Sequence, residues 1–131
     1  ADIGRESIPE PVVRADPGSL ICQDEVFGPV VTVSNFGTEE EAIAIANGTE
    51  YGLGGGLWTA DLSRAHRVAA AMRSGMIWVN CYKRINPGSP FGGTGKSGYG
   101  REMGFAAMDE YTTRKSVWIN VDATLPDWYA R

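Results

Sequence analysis

Cysteine and histidine are nearly missing from this 131-residue chain: Cys22, Cys81 and His66 are the only ones. Two cysteines cannot build a disulfide framework or a metal cluster. His66 has no acidic or cysteine partner at ligand spacing and reads as a surface histidine. Each cysteine reads as a small packing hydrophobe. Excess positive charge is also lacking, with 12 Lys and Arg against 16 Asp and Glu for a net charge of −4. That balance excludes a nucleic-acid surface, which needs a basic patch. No apolar run approaches the length of a membrane span, and no signal peptide opens the chain. A cytoplasmic setting is therefore expected, with neither a membrane nor a nucleic acid as partner.

What is abundant is apolar residues and glycine. Hydrophobic residues make up 43% of the chain, and its length suits one domain with a core. The glycines concentrate in Ser89–Glu102, where Gly92, Gly93, Gly95, Gly98 and Gly100 are ringed by Phe91, Lys96, Tyr99 and Arg101. Such density signals tight turns or a closely approached backbone. Two phosphate-binding patterns come near it. The P-loop spacing uses Gly95, Lys96 and Ser97, but its first glycine falls on Pro90, which removes an amide donor. Gly93 to Gly98 satisfies G-x-G-x-x-G, yet a loop, Asn86 to Pro90, precedes it where a strand is required. The chain starts at Ala1, and ADIGRESIPEPVV holds no obvious starting element; processing, a cloning scar or excision from something larger each account for it.

Taken in order, residues 1–20 read as loop, with Val12-Val13 a short strand. Val30 to Ser34 is β-branched and predicts a buried strand. Thr38 with Glu41 makes a capping box, and Glu39 and Glu40 suit the first turn of a helix running through Ala46 to Asn47-Gly48. Its apolar positions go almost all the way round, so it is expected to be well covered. Tyr51 to Gly56 reads as a glycine-rich turn and Leu57-Trp58-Thr59 as a strand. Asp61 caps a second helix, Leu62 to Ser74, whose Leu62, Ala65, Val68, Ala69 and Met72 share one face, with Gly75 as the terminating glycine. Met76 to Asn80 is a further strand. Strand and helix alternating with short connections predicts an α/β fold with a parallel sheet. Arg101 to Tyr111 predicts a third helix, weakened by Gly104 by about 1 kcal/mol. Ser116 to Val121 is a last strand with nothing obvious to pair with, and an irregular aromatic tail, Asp122 to Arg131, follows. Trp58, Trp78 and Trp118 lie on these strands and read as core or interface.

Several motifs now stand in order: Glu25-Val26-Phe27-Gly28-Pro29-Val30, Ala46-Asn47 with Tyr51-Gly52-Leu53, Ser74-Gly75 into Val79-Asn80, Ser89 to Gly93, and Ser97-Gly98 with Gly100-Arg101-Glu102. From about Pro9 to Val121 the chain resembles the C-terminal portion of an NAD(P)-dependent aldehyde dehydrogenase. The resemblance implies a piece of a three-domain fold. Residues 1–113 would be the later part of the catalytic domain, and residues 114–131 an oligomerisation strand with its tail. It implies oxidation of an aldehyde to an acid through a cysteine thiohemiacetal, with NAD or NADP as cofactor. It also implies a homo-oligomer, dimer or tetramer, assembled through Val117–Val121.

By the same resemblance, Glu25 accepts hydrogen bonds from the nicotinamide ribose hydroxyls, as one carboxylate can from two neighbouring donors. Phe27 packs near the nicotinamide ring, and Phe91 lines the aldehyde tunnel. Lys83, Arg84 and Ile85 sit where specificity varies, and a basic pair there suits an anionic or polar aldehyde; the alternative is a pair of solvated loop charges. The family's nucleophilic cysteine, glutamate base and oxyanion asparagine match nothing here, so no residue of this chain is assigned to catalysis. Those groups are expected upstream, and the piece alone is expected to be inactive. Where the family often has lysine this chain has Gly95, with Lys96 one place later. Lys96 and Arg101 read equally as partners for a helix end or a carboxylate, and Glu39 to Glu41 as a helix start. Two other functions remain open: a non-catalytic interaction and assembly module, and a small nucleotide-binding protein using Gly93 to Gly98.

Overall fold

Two polar side chains start the two main helices. A computed structural model describes residues 12–121. In it Thr38 accepts a hydrogen bond from the Glu41 amide at 3.1 Å and opens α2, Glu39–Ala46. Asp61 accepts from the Arg64 amide at 3.1 Å and opens α3, Leu62–Ala71. Both caps are as expected, with one refinement: the Glu41 carboxylate takes the Gly37 amide at 2.6 Å rather than that of Thr38. The strands are β1, Val12–Arg14; β2, Val31–Val33; β3, Gly54–Leu57; and β4, Met76–Val79. A short α1, Leu20–Gln23, lies in a stretch expected to be loop, and α4 is Met108–Tyr111. The irregular tail and the loop prolines Pro9 and Pro11 lie outside the described residues.

The α/β pattern holds, and both strand pairs are parallel. The single sheet, however, is two two-stranded sheets among the described residues. Val12 to Arg14 registers with Val31 to Val33, and Gly54 to Leu57 with Met76 to Val79. The second pair with α3 is one strand–helix–strand unit, as parallel pairing requires.

Three sequence expectations are corrected. The stretch expected to turn, Gly54 to Gly56, is itself a strand. A Cβ at Gly54 would stand 2.8 Å from the Trp78 ring, and one at Gly55 would collide with the Met72 methyl. The missing side chains make room for neighbours, so Trp58 falls beyond the strand rather than on it. Helix α3 stops at Ala71 instead of Ser74, because the Asn47 side chain donates to the Ala71 carbonyl at 2.9 Å and accepts the Arg73 amide at 2.8 Å. The third helix does not begin at Arg101. Glu102 pairs with Phe91 through both backbone groups, at 2.6 and 2.8 Å, and Met103 and Gly104 follow with φ of 62° and 59°. Only a 3-10 turn, Phe105–Ala107, and α4 remain helical. Val117–Val121, for which the sequence offers no obvious partner, joins no ladder among the described residues. Its side chains stand in solvent, with Trp118 92% exposed.

The expected core is also absent from the described residues, where Ala65 alone is a buried hydrophobic. Of the proposed α3 face, Val68, Ala69 and Met72 are half-buried and Leu62 is exposed, and α2 buries no residue. Parallel sheets normally carry cover on both faces. These do not.

Candidate functional site

The segment Asp24 to Val30 is built from consecutive tight turns. The Gly28 amide donates to the Val26 carbonyl at 2.9 Å, and the Val30 amide to the Gly28 carbonyl at 2.8 Å. Two-residue closures of this kind push intervening side chains outward. Phe27 is accordingly 94% exposed. Glu25 is exposed and makes no ion pair or side-chain hydrogen bond among the described residues. It edges a recess of about 310 Å³ that also touches Cys22, Tyr51, Leu53, Ser74 and Ser97. Phe27 does not line that recess.

The three residues expected to face the substrate line one recess. Arg84, Ile85 and Phe91 line one recess of about 330 Å³ with Met76, Ile77 and Trp78. The Trp78 indole donates to the Arg84 carbonyl at 2.8 Å and fixes the loop after β4. Asn80 enters that loop at φ 55°, its amide side chain bonded to the Thr59 carbonyl and amide, each at 2.9 Å. Phe91 also faces a recess of about 380 Å³ shared with Leu53 and Tyr111, and Leu53 in turn borders the recess of Glu25. Leu53 thus borders the recesses of about 310 and 380 Å³, and Phe91 those of about 380 and 330 Å³. Sequence reading missed Leu53 and Trp78 as lining residues, although Leu53 belongs to the Tyr51-Gly52-Leu53 motif and Trp78 lies one residue before Val79-Asn80.

The glycine loop lines part of these recesses. The Gly52 carbonyl accepts the amides of Gly75 at 2.9 Å and Thr94 at 3.0 Å, while the Gly52 amide donates to Ser97 Oγ at 3.1 Å. The amides of Lys96, Ser97 and Gly98 donate to the carbonyls of Glu50, Thr94 and Gly95 at 2.8, 3.2 and 3.1 Å. Those donors would have to face a bound phosphate, and they are spent on protein carbonyls. Lys96 pairs with Glu50, which raises its pKa chiefly through that hydrogen bond. Arg101 donates to the carbonyls of Gly93, Tyr99 and Gly100 at 2.7, 3.1 and 2.9 Å. The loop is a structural strap, and the phosphate patterns in it are spurious.

Neither Cys22 nor Cys81, both half-buried, hydrogen-bonds to a base among the described residues. His66 is exposed on α3, as expected. No group of three His, Cys, Asp or Glu side chains among the described residues is placed to hold a metal. No helix among them is long and apolar enough to cross a membrane.

Comparison with known proteins fits this arrangement. The aldehyde dehydrogenase family matches residues 4–117, and the chain belongs to that family. It is 54% identical over 97 residues to (Z)-2-((N-methylformamido)methylene)-5-hydroxybutyrolactone dehydrogenase of Acinetobacter baylyi, covering 74% of this chain and 20% of that protein. It is 49% identical over 114 residues to a betaine aldehyde dehydrogenase of Cereibacter sphaeroides, covering 86% and 24%. The crystal structure of PnpE from Pseudomonas sp. WBC-3 superposes with a TM-score of 0.84 at 62% identity, over 90% of this chain and 24% of that one. A second PnpE structure, in complex with nicotinamide adenine dinucleotide, matches with a TM-score of 0.80 at 63% identity, over 87% and 23%. The chain spans a fifth to a quarter of the length of these relatives.

Proposed function

We propose that this chain is the C-terminal part of an NAD(P)-dependent aldehyde dehydrogenase that oxidises an aldehyde to a carboxylic acid. The single observation that carries the reading is the match of the aldehyde dehydrogenase family to residues 4–117, in a chain whose Phe91, Ile85 and Arg84 line one recess. Residues 1–113 belong to the catalytic domain, and residues 114–131 supply an assembly strand and tail. Val117 to Val121, exposed and unladdered here, pairs with a second subunit in a homo-oligomer.

The residues present suit the cofactor. Both oxygens of the exposed, unpaired Glu25 carboxylate are open to the vicinal hydroxyls of a ribose. The exposed face of Phe27 is available to a flat heteroaromatic ring. When bound, NAD or NADP accepts a hydride. This chain's own residues then bind and orient: Glu25 fixes the ribose, while Phe91 and Ile85 shape an apolar wall that excludes water from the aldehyde. The nucleophile and base lie outside this chain, which by itself is inactive.

The test compares the 131-residue chain with the complete reading frame, following reduction of NAD+ by a panel of aldehydes. The complete enzyme turns over and the short chain is silent. Glu25→Ala in the complete enzyme raises KM for NAD+ about tenfold, the effect of losing a charge-assisted pair of hydrogen bonds. Turnover by the short chain would make Cys22 or Cys81 a nucleophile and overturn the assignment. A second reading, a non-catalytic assembly module, is favoured by the exposed apolar surface. It stands if the complete frame also reduces no NAD+.

A further inference from the structure

We propose that the aldehyde carries a carboxylate remote from its reacting carbon, and that Arg84, assisted by Lys83, binds it. This rests on the functional reading above and adds the substrate's charge to it.

The recess that gathers Arg84, Ile85 and Phe91 is otherwise lined by uncharged residues, among them Met76, Ile77 and Trp78. Among the described residues Arg84 is the only charged one that lines it, and no aspartate or glutamate does. Elsewhere basic side chains are mostly neutralised. Arg64 and Arg67 share Glu39, Lys96 pairs with Glu50, Arg114 pairs with Asp109, and Arg101 is spent on backbone carbonyls. Arg84 and Lys83 meet no carboxylate among the described residues. Lys83 instead sits with Nζ 5.7 Å from the Tyr82 ring centroid, a contact weak enough to release. A guanidinium with no carboxylate partner among the described residues, on a residue that borders such a recess, is a binding element for a planar anion, because its fork matches a carboxylate with two parallel hydrogen bonds.

The backbone holds the pair where it is. Lys83 adopts φ of 55°, a left-handed conformation disfavoured for lysine. The Trp78 indole bonded to the Arg84 carbonyl, and the edge-to-face Trp78–Tyr82 contact at 5.2 Å, maintain that turn. Strained turns persist where the surroundings over-determine them, and this one carries two cations adjacent in sequence, of which Arg84 borders the hollow. The hollow's volume, about 330 Å³, suits a short-chain substrate.

The complete enzyme is assayed with succinic semialdehyde and adipic semialdehyde, each against its methyl ester, and with hexanal as a neutral reference. The acids are preferred in kcat/KM by about tenfold or more over their esters, the scale of one charge-assisted pair. The preference falls as salt is added. Arg84→Gln lowers the acid-to-ester ratio by about tenfold, mainly through KM, Arg84→Lys restores part of it, and Lys83→Gln lowers it less. Arg14→Gln, outside the recess, leaves the ratio unchanged. Turnover of hexanal and the esters with no preference for the acids overturns this inference alone, as does a preference that survives Arg84→Gln. Failure to oxidise any of the aldehydes overturns the dehydrogenase reading beneath it.

Discussion

Glu39 shows how one side chain serves two elements. Its place in the first turn of α2 was legible, since acids favour a helix N-terminus. Its partners were not. Arg64 Nε reaches it at 3.1 Å, and Arg67 reaches it through Nε at 3.0 Å and Nη2 at 2.9 Å, tying α3 to α2. The hydrogen bond from Arg67 is the main force holding the Glu39 pKa below the usual carboxylate range; desolvation opposes it, and Arg64 adds to it. A carboxylate whose pKa is lowered on folding contributes stability above its unfolded pKa and loses it as pH falls through the folded one. Glu39→Gln should therefore lower the melting temperature of the complete enzyme at neutral pH. The gap to the parent should close in acid, once Glu39 itself is protonated. A melting series against pH checks it; a gap that stays constant into acid would mean that the charge of Glu39 contributes nothing.

At the scale of elements, glycine was the least readable residue type. The cluster in β3 looked like a turn because glycine is rare in strand interiors. It is a strand because Trp78 and Met72 occupy the space that its side chains would take. Gly75 carries the same logic into the strap. A Cβ there would collide with the Gly92 carbonyl, backbone against backbone, at the point where the Gly75 amide bonds Gly52. Gly75→Ala should cost about 1–3 kcal/mol, as overpacking does when no flexible side chain can yield. Denaturant titration measures this, and a KM rise for aldehyde should accompany it, because Gly92 adjoins Phe91. A change within about 0.5 kcal/mol would mean that the strap is held by Thr94 and Lys96 without Gly75. The helix caps, by contrast, were readable because Thr38 and Asp61 act within their own turn.

The molecule as a whole exposes more than a folded chain of its size should. Its accessible surface is 11327 Å² for 14.1 kDa, against roughly 6,700 Å² from the scaling for folded monomers. The excess is apolar in many places: Phe27, Phe105, Trp118 and Val121 each stand more than 90% exposed. Length and composition suggested a self-sufficient core, and they misled because composition counts apolar residues without saying what covers them. The isolated chain should bind a hydrophobic dye strongly and self-associate. It should also melt without a sharp transition, while the complete enzyme does none of these. Fluorescence, light scattering and calorimetry test it; a monomeric, dye-silent chain with a cooperative melt would mean that it folds as an independent domain.

Sequence by itself determined what is decided within a few residues. That includes the caps at Thr38 and Asp61, the β-branched strand at Val31 to Val33, and the spaced motifs that mark the aldehyde dehydrogenase family. Tertiary structure alone decided whether Gly54 to Gly56 turns or extends, where α3 stops, and that Phe91, Ile85 and Arg84 face one hollow. The first two depend on an atom far away in sequence, Trp78 over Gly54 and the Asn47 amide on Ala71, and the third on the Trp78 indole bonded to the Arg84 carbonyl. Local propensity is a sum over neighbours along the chain, whereas packing excludes volume and satisfies hydrogen bonds between segments that propensity cannot bring together.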